Sequence, residues 1–301
     1  MIELFALFLA LLLSACTHAE SPNFATCSQD RGDCVPTLHE GYHDVDNFVE
    51  IEVNDLLVFS HPNLDGGGNI FGLDIPRYLS GHFKSRFKRC VELCAGPGFI
   101  GFSLLSLGIC QEMVFIDVNP YAIKLLRRTI SHNKLEGRTT VYQSDVLKDV
   151  PKSELGRWDL VVSNPPHFVD IESFQNKLAH IGVDLDWRLH REFYASVVPF
   201  MAPTGHIVMQ ENMAGSSPPD FLNMLPPELA VVEITTGVGV PDSSFTQVFW
   251  NLWTTVDKDF WRRVQNRDVD SCAVQWAQYI VSGEMWGLGI GWEPPGCNDE
   301  K

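Results

Sequence analysis

Short apolar runs alternate with stretches of helical period along most of this chain. Residues Phe48–Phe59 alternate apolar and polar positions about Asn54-Asp55, the pattern of a β-hairpin. Apolar runs at Arg89–Leu93, Glu112–Asp117, Thr139–Asp145 and Trp158–Ser163 read as strands. Helical periodicity at Tyr121–Asn133 and Asp186–Phe200 falls between strands, and Gly205–Gln210 predicts a fifth strand of the series. Leu229–Thr236 and Thr246–Thr255 predict a closing antiparallel pair, joined by the turn-rich stretch 237–244. A further helix is expected from about Val269 to Ser282. Strands alternating with helices predict an α/β fold with a doubly wound sheet.

The first strand of the series runs into Cys94-Ala95-Gly96-Pro97-Gly98 and then into an apolar helical pattern, a βα unit with a glycine-rich turn. Glycines there let backbone approach a ligand, and the helix start presents free N–H groups. Gly96, Gly98 and Gly101 spell the dinucleotide fingerprint, so a dehydrogenase stands as one reading. Glu92 pulls away from it, because a carboxylate just before the glycines repels a pyrophosphate. Asp117, at the end of the next strand, is placed to accept ribose hydroxyls in either cofactor. Asp145 ends the third.

The fourth strand delivers Asn164-Pro165-Pro166-His167-Phe168. Two prolines fix the backbone and remove two amide donors, leaving carbonyl acceptors. Asn164 adds another acceptor and two donors, a rigid cluster suited to holding an amino group. A proline-rich turn after a strand is the alternative.

The ordered series Glu-Leu-x-Ala-Gly-x-Gly, strand-end Asp, Ser-Asp-Val and Asn-Pro-Pro resembles the class I S-adenosylmethionine-dependent methyltransferases with an Asn-Pro-Pro-aromatic motif. Release-factor glutamine, small-domain ribosomal RNA guanine and N6-adenine methyltransferases belong to that group. The resemblance covers roughly residues 50–255. It implies a Rossmann-like seven-stranded sheet, mostly parallel, with one antiparallel strand near the edge. It also implies S-adenosylmethionine as cofactor and no metal. Ala95, Gly96 and Gly98 would line the cofactor, and Glu92 would sit near its methionine end. Asp117, with Val118, would hold the ribose, and Asp145 the adenine amino group, with Val146 against the ring. Asn164 and the Pro165 carbonyl would hold the target nitrogen, followed by Pro166. His167 departs from the usual Tyr or Phe, so either His167 or Phe168 would stack on the acceptor. Residues 169–186, including Gln175 and His180, lie where a substrate lid would sit.

Charge then bears on the acceptor. The chain carries 22 basic and 38 acidic residues, a net charge of −16. Such a balance repels polyanions, so a protein or small-molecule acceptor is expected and direct nucleic-acid binding is disfavoured. The basic groups Lys84, Arg86, Lys88, Arg89, Lys124, Arg127 and Arg128 read as solvated faces. The expected activity is N-methylation of an amide or amino nitrogen on a protein or other macromolecule. A small-metabolite N-methyltransferase and a non-catalytic Rossmann-like binding lipoprotein are the alternatives.

Residues 1–16 form an apolar leader or membrane-anchor-like segment, ending in Leu13-Ser14-Ala15-Cys16 like a lipoprotein cleavage box. Glu3 stands where a leader usually starts positive. Localisation therefore divides between a cytoplasmic catalytic domain and anchoring or export through this segment. A polar linker 17–47, a catalytic domain 48–260 and a helical extension 261–301 complete the expected organisation. Cys90, Cys94 and Cys110 fall in core elements and are expected as free thiols. No C-x-x-C pair points to zinc, and oligomeric state has no signature.

Overall fold

The computed structural model describes residues 48–61, 64, 75–76, 79, 86–169, 182–236 and 249–266. The chain divides into residues 1–44 and 45–301, and every described residue belongs to the second unit. The leader, the linker, most of the expected lid with Gln175 and His180, and the stretch Val269–Ser282 lie outside the described residues. Among the described residues no helix is long and apolar enough to cross a membrane.

Strands β1 (Val49–Val53) and β2 (Leu56–Ser60) pair as the expected hairpin, with Asn54 at φ 54° in its turn. Asn tolerates that left-handed conformation better than most residues. Seven further strands build one sheet: β3 (Phe87–Leu93), β4 (Cys110–Asp117), β5 (Thr139–Gln143), β6 (Trp158–Ser163), β7 (Met201–Asn212), β8 (Ala230–Thr236) and β9 (Phe249–Thr255). Their order is β5-β4-β3-β6-β7-β9-β8. Neighbours from β5 through β7 are parallel, and β9 runs antiparallel to both β7 and β8. The expected mostly parallel sheet with one antiparallel strand near its edge is thus observed.

Helices α1 (Phe99–Ser106), α2 (Pro120–His132), α3 (Arg188–Ser196), α4 (Pro218–Leu222) and α5 (Lys258–Gln265) pack on the two faces. One core joins α1, α2 and the β1–β2 hairpin to the sheet through Phe102, Phe115, Leu126 and Val58. The other packs α3 and α4 through Phe193, Phe221 and Trp250. A large side chain fully buried in such a core contributes about 1.5–3 kcal/mol by leaving water. The hairpin is pinned to α2 by polar contacts as well. Phe59 N donates to Thr129 Oγ1 at 3.0 Å, and Asn133 Nδ2 donates to Leu57 O at 2.8 Å.

Several local expectations change. The helix expected over Asp186–Phe200 spans only Arg188–Ser196, because Asp186 and Trp187 enter it at φ 52° and 56°. Asp184 fixes that start by accepting the Leu189 amide at 2.8 Å, and a separate 3-10 turn holds Val198–Phe200. The strand expected at Gly205–Gln210 extends to Met201–Asn212. Helix α5 runs across the expected domain boundary at residue 260.

Cys90 and Cys110 are not free thiols: they form a disulfide between neighbouring strands β3 and β4, with Cα atoms 6.0 Å apart. Cys94 is the free cysteine among the described residues. Nor is the basic cluster a solvated face throughout. Arg89 is buried, with Nη2 2.6 Å from Glu154 Oε1 and Nη1 2.6 Å from Glu112 Oε2. The Arg128 guanidinium lies 3.7 Å over the Phe48 ring, a cation–π contact.

Candidate functional site

The carboxyl ends of the parallel strands bring the predicted residues to one rim, where open α/β sheets place their ligands. After β3 the chain turns through Cys94, Gly96 and Gly98 at φ 54°, 50° and 86°. Gly98 is the left-handed residue opening α1, and the position suits glycine because no Cβ opposes it. A Cβ there would lie 2.7 Å from the Leu126 side chain, and one on Gly101 2.5 Å from the Phe115 ring. The glycines therefore let α1 settle closely onto β3, β4 and α2.

Glu92 is turned beneath that helix. Its Oε2 accepts the Gly101 amide at 2.8 Å, and the Ile100 amide also bonds it. Burial raises the carboxyl to about pH 8, against the opposing pull of those two amides. Helix-start amides that would cradle a pyrophosphate are thus already engaged by an acidic side chain, which tells against the dinucleotide reading. The same engagement means that Glu92 is no free counter-ion for a cationic cofactor.

Asp117 joins the glycine turn to the start of α2. Its Oδ2 accepts the Gly96 amide at 2.7 Å, and its Oδ1 accepts the Asn119 amide at 2.8 Å. Burial raises its pKa, countered by these amides. Asn119 then caps α2 by accepting from the Tyr121 amide at 2.9 Å, with Pro120 at the first helical position. Ala95 N reaches across to Ile116 O at 3.1 Å, so the turn and β4 are locked together. Each carboxylate oxygen keeps acceptor capacity beyond one amide, so the site fits a hydroxyl-bearing group beside the glycine turn.

The Asp145 end of the rim is more engaged. Asp145 Oδ2 lies 2.6 Å from Lys148 Nζ, and its Oδ1 3.1 Å from Arg188 Nη2 at the start of α3. Burial alone would raise its pKa, but Arg188 and Lys148 bring it below the usual carboxylate value. Val118 is exposed, while Val146 is buried with φ 54°, a strained conformation for a β-branched residue.

At the end of β6, Ser163 Oγ donates to Leu93 O at 2.7 Å, tying the Asn164 strand end to the strand that carries the glycine turn. Asn164 Oδ1 is buried and has no hydrogen-bond partner. Pro165 is buried beside it and Pro166 half-buried. The amides of His167 and Phe168 both donate to Gly182 O at 3.0 Å, and Asp184 N returns to Phe168 O at 2.8 Å. The motif is therefore stitched to the segment leading into α3.

Here the fold assembles groups that linear reading missed. His167 Nδ1 lies 3.2 Å from Glu211 Oε2 on β7; Glu211 Oε1 lies 3.0 Å from His190 Nε2 on α3; His190 Nδ1 lies 2.7 Å from Asp184 Oδ2. Burial would lower the His190 pKa, but Glu211 and Asp184 raise it to about 9. Burial would raise that of Glu211, but His190 and His167 bring it below its ordinary value. An acid in the apolar run of β7 and a histidine in a helix carry no local pattern. A polar residue inside a strongly apolar strand was the one usable signal. His167 is therefore held by its ring as well as its backbone. Among the described residues no cluster of His, Cys, Asp and Glu forms a metal site.

Comparison with known proteins places this geometry. Residues 51–184 match the family model "Methyltransferase small domain". Ribosomal RNA small subunit methyltransferase C of Haemophilus influenzae (strain PittEE) is 28% identical over 134 residues, 44% of this chain and 37% of that protein. The enzyme of that name from Actinobacillus pleuropneumoniae (serotype 5b) is 32% identical over 136 residues, again 44% and 37%. The chain thus matches well under half the length of these relatives. The solved M. jannaschii tRNA m1G37 methyltransferase aligns at 18% identity and TM-score 0.45, covering 70% of this chain and 57% of that one. These matches support a class I S-adenosylmethionine-dependent methyltransferase reading of residues 51–184. The expected protein or small-molecule acceptor, with nucleic acid disfavoured, is overturned by these relatives, which are ribosomal RNA methyltransferases by name. Net charge misled because it sums acids wherever they sit. Glu92, Glu154, Asp184 and Glu211 are buried, the last three against cationic or histidine partners, so a chain-wide sum does not give the charge of the local surface that an acceptor meets.

Proposed function

We propose that this chain, bearing a methyltransferase small domain, transfers a methyl group from S-adenosylmethionine to an amino nitrogen of an RNA base. The observation carrying this reading is Asn164 Oδ1, a buried acceptor without a partner beside the rigid Pro165-Pro166 pair. Leaving such an atom unsatisfied costs about 1–3 kcal/mol, so a donor from the acceptor base is its natural complement. RNA as acceptor is supported by the names of the relatives.

The chemistry asks mainly for position. When bound, S-adenosylmethionine supplies a methyl carbon made electrophilic by its sulfonium. The Ala95–Gly98 turn and Asp117 would hold its adenosyl end, the turn by backbone approach and Asp117 by accepting a ribose hydroxyl. Asn164 Oδ1 and the Pro165 carbonyl accept the two N–H bonds of the target amine, which turns its lone pair toward the methyl. Correct alignment of two reactants accounts for about 7–11 kcal/mol of barrier in favourable cases. The carbonyl dipoles also ease positive charge developing on nitrogen.

The test is transfer of labelled methyl from S-adenosylmethionine by the full chain. Its acceptors are an unmodified transcript of small-subunit ribosomal RNA, a cell protein fraction and a metabolite fraction. Label recovered in a nucleoside carrying an N-methylated exocyclic amine supports the reading. Label found only in protein or metabolites, or no transfer despite binding of S-adenosylhomocysteine, overturns it.

A further inference from the structure

Five of the nine buried side-chain polar atoms that lack a hydrogen bond among the described residues belong to four residues at one level of the sheet. They are Asn164 Oδ1, both amide atoms of Gln210, Asn251 Oδ1 and Thr235 Oγ1. Strand pairing brings these residues side by side. Gln210 on β7 is the direct partner of Asn251 on β9, which is the direct partner of Thr235 on β8. Asn164 follows Ser163, whose partner is Met209, so it stands next to Gln210 at the end of β6.

Directly paired residues share a face of a sheet, and the face alternates along each strand. Val208 and Trp253, two positions from Gln210 and Asn251, belong to the core on the α1 and α2 side. The polar row lies on that side, and the Glu211 network lies on the other. It is also at the carboxyl rim, close to the ends of β7 at Asn212 and β8 at Thr236. Gln210 and Asn251 are 0% and 2% exposed. Desolvated amides without partners are costly, and a chain evolving for stability alone replaces them with apolar residues of similar shape.

We infer that Gln210, Asn251 and Thr235 form a recognition ledge that reads the polar edge of the RNA base whose amino group Asn164 holds. The inference rests on the proposed RNA base acceptor. Carboxamides present a donor and an acceptor together, the pairing that nucleobase edges require, and a hydroxyl serves as either. Three such side chains in line with the Asn164 acceptor would fix the plane and register of the base. They act on which base enters, leaving cofactor binding to the β3 and β4 ends.

The full chain and its variants Gln210→Met, Asn251→Leu and Thr235→Val test this with the small-subunit ribosomal RNA transcript. Each variant is expected to lower kcat/KM on the transcript by about tenfold or more, as loss of a base-edge contact does. Affinity for S-adenosylhomocysteine should stay within about twofold, since the ledge does not touch the cofactor ends. Melting temperature should hold or rise, because an unsatisfied polar group is removed. Wild-type kcat/KM in all three variants, or a marked fall in melting temperature showing that the amides already serve the fold, overturns the ledge alone. If the unaltered chain binds S-adenosylhomocysteine yet methylates no RNA, the RNA reading falls and the ledge with it.

Discussion

His190 Nε2 and Glu211 Oε1 meet at 3.0 Å with neither side chain reaching solvent. A histidine on α3 is thereby joined to an acid on β7, and Glu211 passes the connection on to His167 beside the Asn164-Pro165-Pro166 cluster. Removing one member of a buried charged pair leaves the other uncompensated, at a cost of about 3–5 kcal/mol. His190→Gln is therefore expected to lower the melting temperature and to loosen the His167 loop.

The same pair gives stability a pH dependence. His190 has its pKa raised from 6.5 to about 9, so its contribution is whole below pH 6.5 and is lost as pH rises through 9. Glu92, raised by burial from 4.5 to about 8, acts in the same sense: the folded chain keeps a proton that the unfolded chain releases, so stability falls between those values. Denaturation midpoints should decline from pH 6.5 to 9. Glu92→Gln keeps a carbonyl acceptor for the Gly101 amide and should flatten part of that decline. A midpoint that rises over this interval would contradict both assignments.

Asn164→Ala removes the unpartnered acceptor without touching the glycine turn. Turnover on the RNA transcript is expected to fall by about 100-fold or more, the usual effect of deleting one preorganised polar contact. Isothermal titration with S-adenosylhomocysteine should give affinity within about twofold of the unaltered chain. Full turnover in this variant would exclude Asn164 as the clamp on the target nitrogen.

Asp117→Ala should do the converse. It removes the acceptor of the Gly96 and Asn119 amides together with the candidate ribose contact. Hydrogen bonds to a charged group contribute about 1.5–3 kcal/mol, so a loss of about 10–100-fold in S-adenosylhomocysteine affinity is expected. Thermal protection by that ligand should shrink in parallel, and NAD should protect neither form.

The Cys90–Cys110 disulfide closes a segment with a sequence separation of 20. Loops of that order gain about 3 kcal/mol from cross-linking. Reduction, or the double substitution Cys90→Ala with Cys110→Ala, should lower the melting temperature by roughly 6–12 °C for a domain of this size. In thiol titration of the denatured chain, reduction should release two more thiols from the unaltered chain than from the double variant. Equal release would show the pair to be free.

Local chain chemistry made much of the framework legible. Apolar runs ending in Asp117 and Asn164 marked strand ends because a strand must leave the core where its side chains turn polar. The Gly96–Gly98 turn was legible because left-handed backbone beside a helix start selects glycine. The hairpin at Asn54 was legible for a related reason. Asp186 and Trp187 defeated the helix boundary: their left-handed backbone is held by Asp184 and tertiary packing, which periodicity does not encode.

Legible in the amino-acid sequence alone were the order of elements, the strand ends carrying the glycine turn, Asp117 and Asn164, and a motif series that resembles methyltransferases. These depend on backbone stereochemistry and short-range periodicity. Only the tertiary structure decided that Glu92 caps α1, that Arg188 and Lys148 engage Asp145, that Cys90 meets Cys110, and that His167, Glu211, His190 and Asp184 form one buried chain. It likewise aligned Gln210, Asn251 and Thr235 beside Asn164. Each of these outcomes depends on which strands become neighbours and which charges lose water, and both are fixed by contacts between residues far apart in the chain.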